Sequence, residues 1–352
     1  MPSLMPRQNW IDWMKAFGMV IIVWGHCFPT GLTPFIYAFS VPVFFLVSGY
    51  LTRHEASNGV FWSKVFWTLI VPYLILVSLK VAGYWLKHLD DGGALYSVAA
   101  ILTGVGVVKD FSATLPSISG CGNLWYVYAL VLMIIIFQYC SRSRYSIIVV
   151  TGICIVLQLL FVKLVPHDNY SWALPAAFGA MPFFVLGHCL SPKCALTSEN
   201  FKLRMSSSLE AAKRSDKRYV LLFLVIVLFA ITASVSHFNG EAWMYRGEYG
   251  NSLILFYIAA LTGSAAVVCL SLMLDAIRSR LVSYISIGTL VILTFHRDVM
   301  HPLLKIIDKQ QFDMATNGML TLLASIGVTL VFVPVILFLK RFLPIVLGKR
   351  SV

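Results

Sequence analysis

Asp12, Lys15 and His26 lie in a stretch that is otherwise apolar, residues 9–28, NWIDWMKAFGMVIIVWGHCF. A charge in hydrocarbon costs at least ~3 kcal/mol, so such groups persist mainly where they face a protein interior or a water-filled path and do chemistry there. Lys15 and His26 are eleven positions apart. At about 100° per residue, eleven steps return to within roughly 20° of the starting direction, with a rise of about 16 Å. A helix over this stretch therefore presents a cation and an imidazole on one face at different depths. A ligand with an anionic head and a long thin arm would place its charge near Lys15 and its arm's end near His26, because about 16 Å is the length of a pantetheine-like chain. Plainer readings stay open beside this one. Lys15 can pair with Asp12 three residues earlier while its stem snorkels to the interface. His26 can be a buried histidine that donates to a neighbouring helix carbonyl.

A second group of candidates, Thr294, Phe295, His296, Arg297, Asp298 and His301, crowds the end of another apolar run. His296 is expected at the depth of His26, and Asp298 could hold one of the two imidazoles in the tautomer a base needs. Ser48 and Gly49 end the second apolar run on the Lys15 side and Arg53 follows it. There the small residues permit close helix approach, and Ser48 and Arg53 join Lys15 and Asp12 as candidates for holding a donor. Asn123, Trp125 and Tyr126 open the fourth run, either as interfacial anchors or as acceptor-binding groups. Cys27 adjoins His26, but helix neighbours point roughly 100° apart and do not readily form a nucleophile and base pair. The eight histidines show no metal-ligand spacing on one helix, and GxSxG, P-loop and GxGxxG motifs are missing from the sequence. No metal is expected. The seven cysteines include no CxxC pair, so neither a disulfide framework nor a zinc site is indicated.

The elements that must position these residues follow from composition. The chain of 352 residues is 59% hydrophobic and 12% charged, with a mean hydropathy of +0.83, whereas soluble domains carry about 25% charged residues. An all-α, polytopic integral membrane protein is expected, as a single transmembrane domain over residues 1–352. Runs of spanning length fall near 10–28, 33–51, 61–85, 123–140, 145–165, 173–190, 219–237, 251–274, 281–297 and 317–339. The first is expected as a retained helix rather than a cleaved signal. Lys64 and Lys80, Pro175 and Pro182, and the polar residues 283–289 interrupt the third, sixth and ninth runs; the two prolines are expected to kink a helix that continues.

Ten helices put both termini on one side. If that side is cytoplasmic, it carries seventeen of the 27 Lys and Arg residues and the opposite side seven, with three inside spans, as the positive-inside rule demands. The net charge of +12 is thereby explained by topology and not by nucleic acid binding. The cytoplasmic connection 191–218 is basic, and reads as a solvated anchor for anionic lipid or as a phosphate-binding lip. The outer connections 86–122 and 238–250 are where acceptor recognition would fall.

The run Asp12, Lys15, His26, with Arg7 before it and Phe45, Ser48 and Gly49 after it, resembles the first two helices of membrane acyltransferase family 3, most of all its sugar O-acetylase branch. The likeness continues in Leu124 to Tyr126, in FFVLG at 183–187 and in the TFH of Thr294 to His296. This resemblance implies a ten-helix enzyme of the bacterial inner membrane. It would move an acetyl or other short acyl group from cytoplasmic acetyl-CoA to a hydroxyl of a surface or secreted polysaccharide. His26 would be the essential histidine and Lys15 the basic partner, with Lys where many relatives have Arg, so that a point charge replaces a bidentate contact. Acyl-CoA, a glycan acceptor and membrane lipids are the implied partners, and self-association into a homo-oligomer is left open. Two rival readings remain: a transporter or flippase with a Lys15, His26 and His296 relay, and an inactive relative that only binds donor or partner.

Overall fold

The computed structural model describes residues 8–87, 122–140, 143–164, 173–192, 218–307 and 312–349, with isolated residues between 194 and 211. Most of the connections 86–122 and 191–218 lies outside the described residues.

All ten apolar runs are helical. The helices are α1 (Asn9–Gly25), α2 (Thr33–Leu51), α3 (Asn58–Val65), α4 (Val71–Lys87), α5 (Trp125–Cys140), α6 (Arg144–Leu164), α7 (Leu174–Leu190), α8 (Arg218–Asn239), α9 (Leu253–Met273), α10 (Arg280–Ile287), α11 (Thr289–Ile307) and α12 (Met314–Phe342). The expected count of ten spans differs from what length and composition support. Among the described residues six stretches are long and apolar enough to cross a membrane, and two more helices are shorter apolar ones. Of the interrupted runs, the third stays among the six as Asn58–Gly83 and the ninth does not. Between α3 and α4 the chain forms a π-helical turn, Phe66–Ile70. The ninth run is broken at Gly288 into α10 and α11. A Cβ on Gly288 would lie 2.1 Å from Ile336 Cδ1 of α12, so the break sits where another helix presses against bare backbone. The sixth run is continuous, with Pro175 in the first turn and Pro182 inside α7, because an opening proline has no N–H to satisfy.

Helix α1 is the hub, packing against α2, α9, α10, α11 and α12. Its first turn has no side-chain cap of its own. The turn after α9 supplies the missing partners: Trp10 N donates to Asp275 Oδ1 at 2.8 Å, and Asn9 Nδ2 donates to the carbonyls of Asp275 and Ile277. At the other end, Tyr37 of α2 donates to the Gly25 carbonyl at 2.8 Å. These contacts satisfy orphan groups that a helix end otherwise leaves to water.

Helices α2 and α7 cross backbone to backbone. A Cβ on Gly49 would lie 1.8 Å from the Phe184 carbonyl oxygen, and one on Gly187 would lie 2.0 Å from that of Leu46. Small residues at a membrane helix interface permit this approach, and it joins the Ser48–Gly49 motif to the FFVLG motif. Between α8 and α9 a short antiparallel hairpin, β1 (Ala242–Trp243) and β2 (Glu248–Tyr249), brackets a 3₁₀ turn at Met244–Arg246. Asn239 fixes its base, donating to the Tyr249 carbonyl at 2.8 Å and accepting from Ser252 N at 2.8 Å.

Candidate active site

One cavity of about 940 Å³ runs beside α1, lined by Gln8, Ile11, Asp12, Lys15, Met19, Ile22, His26 and Phe28. The three- and four-residue spacing of these positions traces one helical face, so Lys15 and His26 share the surface that their separation in sequence predicts. From Gln8 to His26 the lining covers about 27 Å of helix axis, close to the thickness of a bilayer's hydrocarbon core. The Gln8 end is called proximal below and the Phe28 end distal.

At the distal end the two histidines meet. His26 is the C-cap of α1, and its Nδ1 lies 2.9 Å from the Ile22 carbonyl oxygen and 3.1 Å from His296 Nε2. His296 is fully buried, at 0% exposure, and its Nδ1 lies 2.8 Å from the Ile292 carbonyl oxygen. A carbonyl can only accept, so His296 carries its proton on Nδ1 and offers Nε2 as an acceptor. By the same rule His26 Nδ1 carries its proton, shared between the Ile22 carbonyl and His296 Nε2, and Asn123 Nδ2 lies 3.4 Å from that Nε2. In this arrangement His26 Nδ1 is a donor, and its Nε2 keeps a lone pair with no hydrogen bond to protein among the described residues. His26 is the imidazole that lines the cavity, with His296 behind it. A base held by a second group in the correct tautomer is the arrangement general-base chemistry uses.

Asp298 does not join them. It is exposed and does not line the cavity, being two positions from His296 on α11 and so on the opposite side of that helix. The orienting role expected of a carboxylate falls to the Ile292 carbonyl and Asn123. Cys27 is also outside the cavity, where its Sγ lies 3.1 Å from Met300 Sδ.

Toward the proximal end, Asp12 is buried at 6% exposure and accepts from Ser286 Oγ at 2.6 Å and Ser283 Oγ at 3.5 Å. The cavity also meets Lys15, Ser48 and, from the last described residues, Lys349. Ser48 Oγ lies 3.0 Å from the Tyr126 hydroxyl, which donates to the Phe44 carbonyl. Arg53 is elsewhere: its Nε contacts Glu55 at 3.4 Å, and Lys64 Nζ reaches the same carboxylate oxygen at 2.6 Å. Burial alone would raise the Glu55 pKa, but these two cations outweigh it and hold the carboxyl below its usual value.

Asn123, Trp125 and Tyr126 all line the cavity. Sequence reasoning missed Lys349 and the hairpin residues Trp243, Tyr245 and Arg246, which line it as well. Arg297, grouped with His296 in the sequence but given no role of its own there, lines the cavity too. The hairpin gave no signal, because its approach to α1 is a tertiary event.

The acyltransferase domain family model matches residues 8–339. The chain belongs to acyltransferase family 3. Neither curated proteins nor solved structures give a significant match. The acyltransferase therefore carries the family's domain over nearly its whole length, and the shared face of Lys15 and His26 lies inside it.

Proposed function

We propose that this membrane acyltransferase is a sugar O-acetylase-like enzyme. It would take an acetyl or other short acyl group from acyl-CoA on the cytoplasmic side and deliver it to a hydroxyl of a surface or secreted polysaccharide. The observation that carries the reading is the single cavity with Lys15 toward one end and His26, backed by His296, toward the other. A volume of about 940 Å³ is at the upper end of the 300–1,000 Å³ usual for ligand pockets, which suits two substrates meeting end to end.

In the proposed reaction, His26 Nε2 takes the proton of an acceptor hydroxyl as its oxygen attacks the thioester carbonyl. The new C–O bond forms, the C–S bond breaks, and the proton passes from His26 to the departing CoA thiolate. His296 and Asn123 position His26. Lys15 and Lys349 hold the donor's phosphates at the proximal end. The acceptor enters from the distal end, past Trp125. The excess of basic residues near the termini supports a cytoplasmic proximal end in a bacterial inner membrane.

Purified protein in a lipid bilayer, given labelled acetyl-CoA and glycan from its source cell, should label that glycan. His26→Ala should lower kcat by roughly 10² to 10⁴. Wild-type turnover in His26→Ala would end the assignment, and substrate flux without CoA would favour a transporter.

A further inference from the structure

The proposed reaction leaves open what kind of glycan enters the distal end, and the hairpin at that mouth bears on it. Arg246 lines the cavity and lies over two rings, its guanidinium carbon 5.3 Å from the centre of Trp243 and 5.2 Å from that of Tyr245; the rings stand 80° apart, so its plane stacks on at most one of them. Stacking occupies the face of a guanidinium and leaves its N–H edge available for an oxyanion. Among the described residues that edge has no carboxylate partner and no hydrogen bond. The neighbouring carboxylate Glu241 is occupied, accepting from Thr33 Oγ1 and from Trp243 Nε1, and Glu248 makes no ion pair with Arg246 among the described residues.

Arg297 lines the same end of the cavity. The acidic residue in the lining is Asp12, far off at the proximal end. Among the described residues the distal lining thus holds two guanidinium groups and no carboxylate, Glu241 standing behind it on Thr33 and Trp243, and a cleft lined by one sign of charge raises the local concentration of the opposite one. Aromatic walls complete it, with Trp243 4.8 Å from Tyr37 and Tyr245 6.3 Å from Trp125, centre to centre. Aromatic faces take the apolar face of a sugar ring, and an arginine edge takes an oxyanion.

We propose that the acceptor is an acidic glycan, whose sugar bears a carboxylate or phosphate group bound by Arg246 with Arg297 beside it. This rests on the acyl transfer proposed above. The N-terminal stripe explains a donor and a base; the hairpin explains which acceptor stays long enough to react. Arg246 acts as a specificity residue and takes no part in the proton transfer.

The test uses the full-length protein in bilayer nanodiscs, labelled acetyl-CoA, and source-cell glycan separated by anion exchange. The acidic fraction should take the label, and carboxyl reduction or phosphatase treatment of that fraction should abolish the advantage, each treatment identifying one source of charge. Arg246→Gln should raise KM for the acidic fraction by about tenfold or more, the value of a charged hydrogen bond, and lose the discrimination between treated and untreated glycan. Arg246→Lys should recover part of it, which a merely structural role for the side chain would not predict. Equal melting temperatures of the variants show that each is folded. Label in the neutral fraction, or an unchanged KM in a folded Arg246→Gln, overturns the proposal. If no glycan is labelled but His26-dependent hydrolysis of acetyl-CoA persists, the acidic acceptor is refuted and acyl transfer survives; if neither occurs, both fall.

Discussion

His26 and His296 divide the work of one base between two residues. Only His26 faces the cavity, while His296 spends its Nδ1–H on the Ile292 carbonyl and its Nε2 on His26. Asn123→Ala removes the amide 3.4 Å from His296 Nε2. One neutral hydrogen bond contributes ~0.5–1.5 kcal/mol, so kcat should fall roughly three- to tenfold with KM little changed, measured by steady-state acetyl transfer. Lys15→Ala should instead raise the apparent KM for acetyl-CoA while leaving most of kcat, because a contact made equally in ground and transition states appears in KM. A matched fall in kcat and kcat/KM would move Lys15 from donor binding to the chemistry. The sequence showed both pairs of residues but not their partners. Ile292 and Ile22 act through backbone carbonyls, and a side-chain pattern carries no information about those.

At the scale of elements, two contacts set the geometry of the proximal half. The α2–α7 crossing leaves no room for a side chain at Gly49 or Gly187. Gly187→Ala drives a methyl against the Leu46 backbone and should destabilise by about 1–3 kcal/mol, the usual cost of overpacking, read as a lower melting temperature in detergent. Gly83→Ala, in open space, should not. The turn between α2 and α3 is held by Glu55, Lys64 and Arg53. The folded-state pKa of Glu55 is depressed, so its contribution is fully present above the unfolded carboxylate value of about 4.3 and is lost as pH falls through the folded value. A thermal-melt series in acid should show Glu55→Gln costing under about 1 kcal/mol at neutral pH and nothing once wild-type Glu55 is protonated. Small residues in a sequence announce that helices come close; which helices they join becomes visible only when Gly49 meets Phe184.

The whole molecule is organised around a cavity whose lining follows α1 from Gln8 to Phe28. If donor and acceptor enter from opposite ends, acetyl-CoA outside sealed vesicles should label glycan trapped inside, in the vesicles whose proximal end faces outward. Vesicles of the opposite orientation should be silent until acetyl-CoA is loaded within and glycan is supplied outside. Labelling that ignores orientation would place both substrates on one side.

The sequence by itself determined the apolar helices, the shared face of Lys15 and His26, the basic asymmetry of the connections and the family resemblance. Each is a matter of periodicity, composition or local motif, and each survives without knowing which helix touches which. Tertiary structure decided the rest. It set His296 behind His26 and brought the hairpin with Arg246 to the mouth near His26. Those outcomes depend on contacts between residues up to 270 positions apart, and such contacts are fixed by the packing of many helices together, which no local pattern encodes.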